Sequence, residues 1–178
     1  MWERTIKSEG YPLKEEQFRV LKTMVEATSR MDINVFAQKV SLTPNQTIYQ
    51  VQELAKNGFL QKVGGGYGIT EKGKAALKAF TLVPKENGFH FYNGLDQPTD
   101  FTAQSINEFY GFVKQVGVDS LEFHLQRGDF ENWLKDVCRD PEFAGEIGSL
   151  RAAGLKGESL RSELLRVLDA KYGIQELQ

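Results

Sequence analysis

The chain has two histidines, and one of them has the neighbour that proton-transfer chemistry asks for. Asp129 follows His124 across a presumed helix break, close enough for a carboxylate to orient the imidazole, which is half of a general-base arrangement. Nucleophiles are poorly supplied. Ser120 lies one helical turn before His124, and Cys138, the single cysteine, has no partner set by spacing. His124 also sits among Phe123, Leu125, Phe130 and Trp133, where an imidazole more often satisfies a cap or a backbone carbonyl than it performs catalysis. His124, Asp129 and Trp133 are therefore read as lining a pocket at most, no catalytic residue is assigned, and an enzyme centred on His124 and Asp129 is the minor alternative. His90, His124 and Cys138 are the only nitrogen or sulfur ligand candidates and form no close pair, so no metal and no cofactor is expected. Gly64-Gly65-Gly66-Tyr67-Gly68 is not followed by the Lys-Ser/Thr of a phosphate-binding loop.

A second set of residues points to another chemistry. Thr43, Asn45, Gln46, Tyr49 and Gln50 fall within one helical stretch, and Lys56, Lys62, Tyr67, Lys72 and Lys74 follow. Asn and Gln make bidentate contacts to adenine, Tyr reaches phosphate or a thymine methyl, and Lys neutralises phosphate. The free amides that open a helix favour a phosphate as well. These ten residues are the candidate DNA contacts. The stretch 44–57 contains no arginine, and Glu53 would oppose a polyanion, so affinity is expected to lean on dimerisation and to be salt-sensitive.

The elements that must position these groups follow from spacing. Phe18, Leu21 and Val25, with Met24, recur at helical intervals behind the acidic first turn of Glu15 and Glu16. Asp32 is a natural N-cap for a short helix turning Val35, Phe36 and Val40 inward. Thr43-Pro44-Asn45-Gln46 is a strong start signal, a capping box with proline at the first helical position. The helix it opens is expected to bury Ile48, Val51, Leu54 and Ala55 and to end at Asn57-Gly58. Phe59–Val63 and Tyr67–Thr70 read as two strands around a glycine turn, and Thr70 then caps a fourth helix.

Three helices followed by a β-hairpin resemble a winged helix-turn-helix. The resemblance to winged-helix transcription regulators, especially the MarR-like branch, rests on Leu54-Ala55-Lys56-Asn57-Gly58-Phe59-Leu60 and on Tyr67-Gly68-Ile69-Thr70-Glu71-Lys72-Gly73-Lys74-Ala75-Ala76-Leu77. It spans about residues 12–80. It implies that the third helix (44–57) reads the major groove, that the 59–70 wing touches backbone or minor groove, and that the protein is a homodimer.

Residues from Pro84 onward have another character. Phe89-His90-Phe91-Tyr92 reads as one short strand, 94–100 as a loop containing Pro98, and the remainder as helices. Ser105 opens one with Ile106, Phe109 and Val113. The stretch 119–125 forms the next, Asp129 caps a third, and Asp140-Pro141-Glu142 starts a fourth. The last, about 158–172, carries Leu160, Leu164, Leu165 and Leu168 inward with Arg161 and Arg166 outward. The run from Phe123 to Val137 and on through Asp140-Pro141-Glu142-Phe143-Ala144 is similar to a small helical domain of unknown function from archaeal and bacterial proteins.

Composition sets the outer limits. The chain has 178 residues, a formal net charge of -2 and one cysteine, which argues against a wholly basic DNA coater and excludes an intramolecular disulfide framework. Met1-Trp2-Glu3-Arg4 does not open a signal peptide, and no run approaches a membrane span, so a cytoplasmic location without a membrane partner is expected. Net charge conceals an asymmetry: residues 1–80 hold 12 Lys+Arg against 8 Asp+Glu, and the rest 10 against 16. The expected fold is mainly α (α+β), a winged helix-turn-helix over 1–82 followed by a small helical domain over 83–178 with one short strand. A DNA-binding transcription regulator is expected, with double-stranded DNA and a second copy of the chain as its partners, and no residue set supports a small-molecule effector. The alternative is a winged-helix adaptor that binds protein instead of DNA.

Overall fold

The computed structural model describes residues 13–177. Met1-Trp2-Glu3-Arg4, read above as no signal sequence, lie outside the described residues. The first helix, α1 (Glu15–Glu26), is followed by α2 (Ile33–Lys39) and α3 (Pro44–Lys56). An antiparallel hairpin, β1 (Leu60–Val63) and β2 (Gly66–Ile69), leads into α4 (Glu71–Phe80). Their starts follow the local signals. Asp32 accepts the Asn34 amide at 2.8 Å, and Thr43 accepts the Gln46 amide at 3.2 Å while Gln46 accepts that of Thr43 at 2.9 Å. Thr70 accepts the Gly73 amide at 3.1 Å.

The buried faces differ from those expected. α1 turns Gln17, Val20 and Leu21 inward and leaves Val25 50% exposed. α2 buries Ala37, with Val40 at its end, and leaves Val35 46% exposed. α3 buries Thr47, Gln50 and Leu54 and leaves Ile48 43% exposed. In α3 the inner face is turned by roughly one residue, about 100°. Two of the polar groups at these inner positions, Gln17 and Thr47, are satisfied locally, and a hydrogen-bonded polar group is cheap to bury. Gln17 accepts the Lys14 amide at 3.1 Å, and the Thr47 hydroxyl donates to the Thr43 carbonyl at 2.9 Å. α3 packs on α1, α2 and β1. α4 seats against the start of the hairpin only because residue 73 is glycine: a Cβ there would stand 2.3 Å from the Phe59 carbonyl oxygen.

A second hairpin follows, β3 (Phe89–Gly94) and β4 (Gln97–Ala103), antiparallel, with register shifts either side of Tyr92. The single strand and the 94–100 loop expected here are corrected by β4. The signals that suggested a loop are accommodated at an edge: Pro98 pairs with Tyr92 where the ladder is irregular, so its missing amide removes no regular hydrogen bond. The turn needs no second glycine, because Asp96 takes φ 56°.

Helices α5 (Ile106–Val113), α6 (Val118–Arg127), α7 (Asp129–Asn132), α8 (Pro141–Ala152) and α9 (Gly157–Tyr172) complete the chain. α7 runs into a π-helical turn over Trp133–Val137. Ser105 and Asp140 cap α5 and α8 as their sequence suggests. Asp129 does not cap α7. The cap residue is Gly128 in the left-handed conformation, and the Asp129 carboxylate serves His124 instead. Arg161 is not outward either: its Nη1 donates to the carbonyls of Val113, at 2.5 Å, and Val116, at 2.8 Å, closing the end of α5.

The chain is mainly helical with two small antiparallel sheets. It divides into two compact units between Leu77 and Lys78, and the C-terminal turn Gln175–Leu177 groups with the first. The expected boundary at residues 82 and 83 lies just beyond α4. Among the described residues, no helix is long and apolar enough to cross a membrane.

Candidate nucleic-acid interface

The first unit presents its polar residues on one side of α3. With Thr47, Gln50 and Leu54 facing in, the helical period turns Asn45, Gln46 and Tyr49 out. Thr43, Asn45 and Gln46 are exposed and Tyr49 is 55% exposed. Lys56, in the last turn, is exposed too. Gln50 is the exception and corrects the expectation for it: it is 6% exposed, and its amide donates to Glu16 Oε2 of α1 at 2.8 Å. It holds two helices together, and a ligand meeting the outer face of α3 would not reach it. Gln46 is exposed but committed in part, since its Oε1 accepts the Thr43 amide.

The hairpin adds a second set. Lys62 is exposed and pairs across the ladder with Tyr67, which is half-buried. The turn between them is formed by Gly64 and Gly65, both at positive φ, where glycine bears no steric penalty. An arginine not anticipated from the sequence meets this turn. Arg30, in the loop between α1 and α2, is exposed, and its Nη2 donates to the Gly65 carbonyl at 2.6 Å. The only prior signal was its position just ahead of the Asp32 cap, which says nothing about a hairpin over thirty residues away.

Between α3 and the hairpin runs an open groove of about 680 Å³, whose floor includes Met24, Phe36, Ile48, Val51 and Val63, with Arg30 at its edge. Lys72 and Lys74 stand on α4. The Lys72 ammonium lies 5.0 Å from the centre of the Phe59 ring, and Lys74 pairs with Glu71 at 2.7 Å. That ion pair is exposed and contributes little to stability. Asp32 remains an anion close to this surface, held below the usual carboxylate range by the Asn34 amide.

Protein-family models, curated proteins and solved structures give no match to this chain.

The second unit brings His124 and Asp129 together but leaves the imidazole no free nitrogen. Nδ1 lies 2.8 Å from Asp129 Oδ2, and Nε2 lies 2.8 Å from the amide nitrogen of Tyr92. An amide only donates, so Nε2 accepts, and Nδ1 carries the proton given to Asp129. The ring is 3% exposed, and burial lowers its pKa despite the opposing pull of Asp129. Ser120 is equally engaged, its hydroxyl donating to the Tyr92 carbonyl at 2.7 Å. Together they fasten α6 to β3. The pocket expected around His124, Asp129 and Trp133 is corrected to a filled aromatic core. The Phe89 ring lies 4.9 Å from that of His124, Trp133 stacks on Phe109 at 5.5 Å, and the indole N–H donates to the Asn87 carbonyl at 2.9 Å. Burial pushes the Cys138 thiol up to about 12, so it is a poor nucleophile near neutrality.

Proposed function

We propose that the first unit is a winged helix-turn-helix that binds double-stranded DNA, and that the chain acts as a homodimeric transcription regulator. In this reading α3 enters the major groove with Asn45, Gln46 and Tyr49, the β1–β2 hairpin is the wing, and Thr43, Lys56, Lys62, Tyr67, Lys72 and Lys74 lie along the phosphates. The observation that carries it is the exposed polar face at the start of α3 beside a hairpin bearing Lys62. The positive balance of residues 1–80 supports it. The second unit, acidic on balance, dimerises, senses or recruits, and its charge discourages indiscriminate coating of DNA.

The experiment is selection of duplexes from a random pool by the full chain at low salt, followed by binding assays on the selected sequence. Tyr49→Ala and Lys62→Ala are expected to weaken binding several-fold, and Lys62→Ala to do so across all sequences. A chain that enriches no duplex at low salt does not bind DNA in this way. Light scattering tests the dimer, which a monomer at micromolar concentration would rule out.

A second reading has one specific observation in its favour. Val35, Ile48 and Val63 are 46%, 43% and 57% exposed, and Ile48 and Val63 line the groove. Apolar side chains left outside on a small domain mark protein contacts as readily as nucleic-acid ones. If no duplex is selected, an adaptor function for this face becomes the leading account.

A further inference from the structure

We infer, building on the DNA reading, that Arg30 supplies the phosphate contact at the tip of the β1–β2 hairpin, a cation that the Gly64–Gly66 tip itself lacks. The turn is Gly64-Gly65, followed by Gly66, so nothing at the tip projects a side chain. The nearest hairpin side chain is Val63, 57% exposed and uncharged. The tip of a wing built this way, beyond Lys62, would meet a polyanion with backbone alone.

Arg30 changes that. It comes from the loop joining α1 to α2, and its Nη2 lies 2.6 Å from the Gly65 carbonyl oxygen and 3.5 Å from that of Gly64. The guanidinium rests close over the glycines: a Cβ on Gly65 or on Gly66 would stand 3.4 Å from Nη2. That is ordinary van der Waals contact, so the cation lies against the turn without needing glycine there; glycine is needed for the positive φ of Gly64 and Gly65.

A guanidinium has five N–H donors in a fixed fork. The glycine carbonyls engage those on Nη2, and among the described residues the hydrogen bonds of Arg30 go only to these carbonyls. Nε and Nη1 keep N–H groups for an outside acceptor, and the side chain is exposed. Phosphate and carboxylate oxygens both accept from a guanidinium. The neighbours favour phosphate: Thr28 and Ser29 precede Arg30 as exposed hydroxyl donors, Lys62 is on the same hairpin, and Arg30 shares the groove with Gln52 of α3. Because the backbone already orients the fork, less side-chain freedom is lost when phosphate binds than for a lysine or an unheld arginine.

The test uses the full chain and the duplex it selects, with binding followed by fluorescence anisotropy over a salt series. Arg30→Gln keeps an N–H for the glycine carbonyl but removes the charge. Arg30→Lys keeps the charge but loses the fork. For Arg30→Gln the expected result is affinity roughly 3- to 10-fold weaker on every duplex, with the slope of log K against log salt shallower by about 0.9. Arg30→Lys is expected to keep the parental slope with intermediate affinity. Loss of affinity in Arg30→Gln with the slope unchanged would overturn the proposal and reduce Arg30 to a brace for the hairpin. Parental affinity and slope in Arg30→Gln would overturn it while leaving DNA binding intact, whereas a wild-type chain that selects no duplex removes both. Thermal melts of each variant check the fold. If Arg30→Gln melts early, the Arg30→Lys slope decides alone, and a shallower slope there rejects the phosphate contact.

Discussion

α3 and α8 begin with the same device and use it differently. Each has an oxygen-bearing cap followed by proline, Thr43-Pro44 in one and Asp140-Pro141 in the other. At α3 residues 43–46 are all exposed, and the cap serves its helix alone. At α8 the cap is 5% exposed and holds three partners: Asp140 Oδ1 accepts the Phe143 amide at 3.1 Å, and Oδ2 takes the Tyr172 hydroxyl at 2.8 Å and lies 3.2 Å from the Lys78 ammonium. Burial alone would raise the Asp140 pKa, yet the Tyr172 hydroxyl, the Phe143 amide and Lys78 hold it below the usual range. Tyr172 is pushed up in turn, by burial first and then by the adjacent carboxylate. One start leaves its polar groups exposed; the other has spent them inside.

The largest expected effect separates these two starts. Asp140→Ala strands the buried Tyr172 hydroxyl and removes the Lys78 ion pair as well as opening the helix, and should cost about 2–4 kcal/mol of stability. Thr43→Ala should cost about 1 kcal/mol, the ordinary value of an exposed cap. Urea unfolding measures both, and equal costs would dissolve the distinction. The sign with pH follows from the lowered Asp140 pKa. Its contribution is present above the ordinary value of 3.8 and is lost as pH falls through the folded value, so the gap between wild type and Asp140→Ala should close in strong acid.

The comparison also explains which parts of the structure were legible beforehand. Helix starts were, because Asp32, Thr43 with Gln46, Ser105 and Asp140 act on amides two or three residues away. Helix faces were legible in α5 and in most of α9, where Ile106, Phe109, Val113, Leu160, Leu164 and Leu168 are buried, but not in α1 to α3, where the choice is made by partners distant in sequence. Ile48 outranks Thr47 and Gln50 in hydrophobicity, and nothing local announces that Glu16 waits to satisfy Gln50. The same blindness hid Arg161, whose partners are the carbonyls of Val113 and Val116. It also hid Arg30 at the hairpin tip and β4, whose edge position tolerates Pro98. The polar side of α3 was therefore located correctly at residues 45, 46 and 49 and misjudged at 50.

That misjudged residue gives an intermediate effect and sharpens the contrast within α3 itself. Gln50→Ala removes a largely buried hydrogen bond between α3 and α1 and should cost about 1–2 kcal/mol. Tyr49→Ala, one position away and outward, should change stability by no more than about 0.5 kcal/mol. Under the DNA reading the order reverses for binding, with Tyr49→Ala weakening it and Gln50→Ala sparing it once the folded fraction is accounted for. Equal stability losses would mean that the inner face of α3 has been assigned to the wrong residues.

The smallest effect is a slope, and it extends the contrast between spent and available polar groups to the two histidines. His90 is exposed, and its Nδ1 lies 2.9 Å from the Thr102 hydroxyl, whereas His124 is sealed between the Tyr92 amide and Asp129. Burial lowers the His124 pKa, against the pull of Asp129 and with a small push from Arg127. The unfolded chain takes up a proton near the ordinary value of 6.5, while the folded chain resists it. This contribution is therefore complete above that pH and declines as pH falls below it. His124→Gln places an acceptor toward the Tyr92 amide and a donor toward Asp129 without a titrating ring. Its unfolding free energy should vary less than that of the wild type between about pH 7 and 5. His90→Gln, at the exposed ring, is the control and should leave the wild-type slope in place. If His90→Gln flattens the profile and His124→Gln does not, the buried ring is not the group that resists protonation, and the Nε2 acceptor role derived from the Tyr92 amide is wrong.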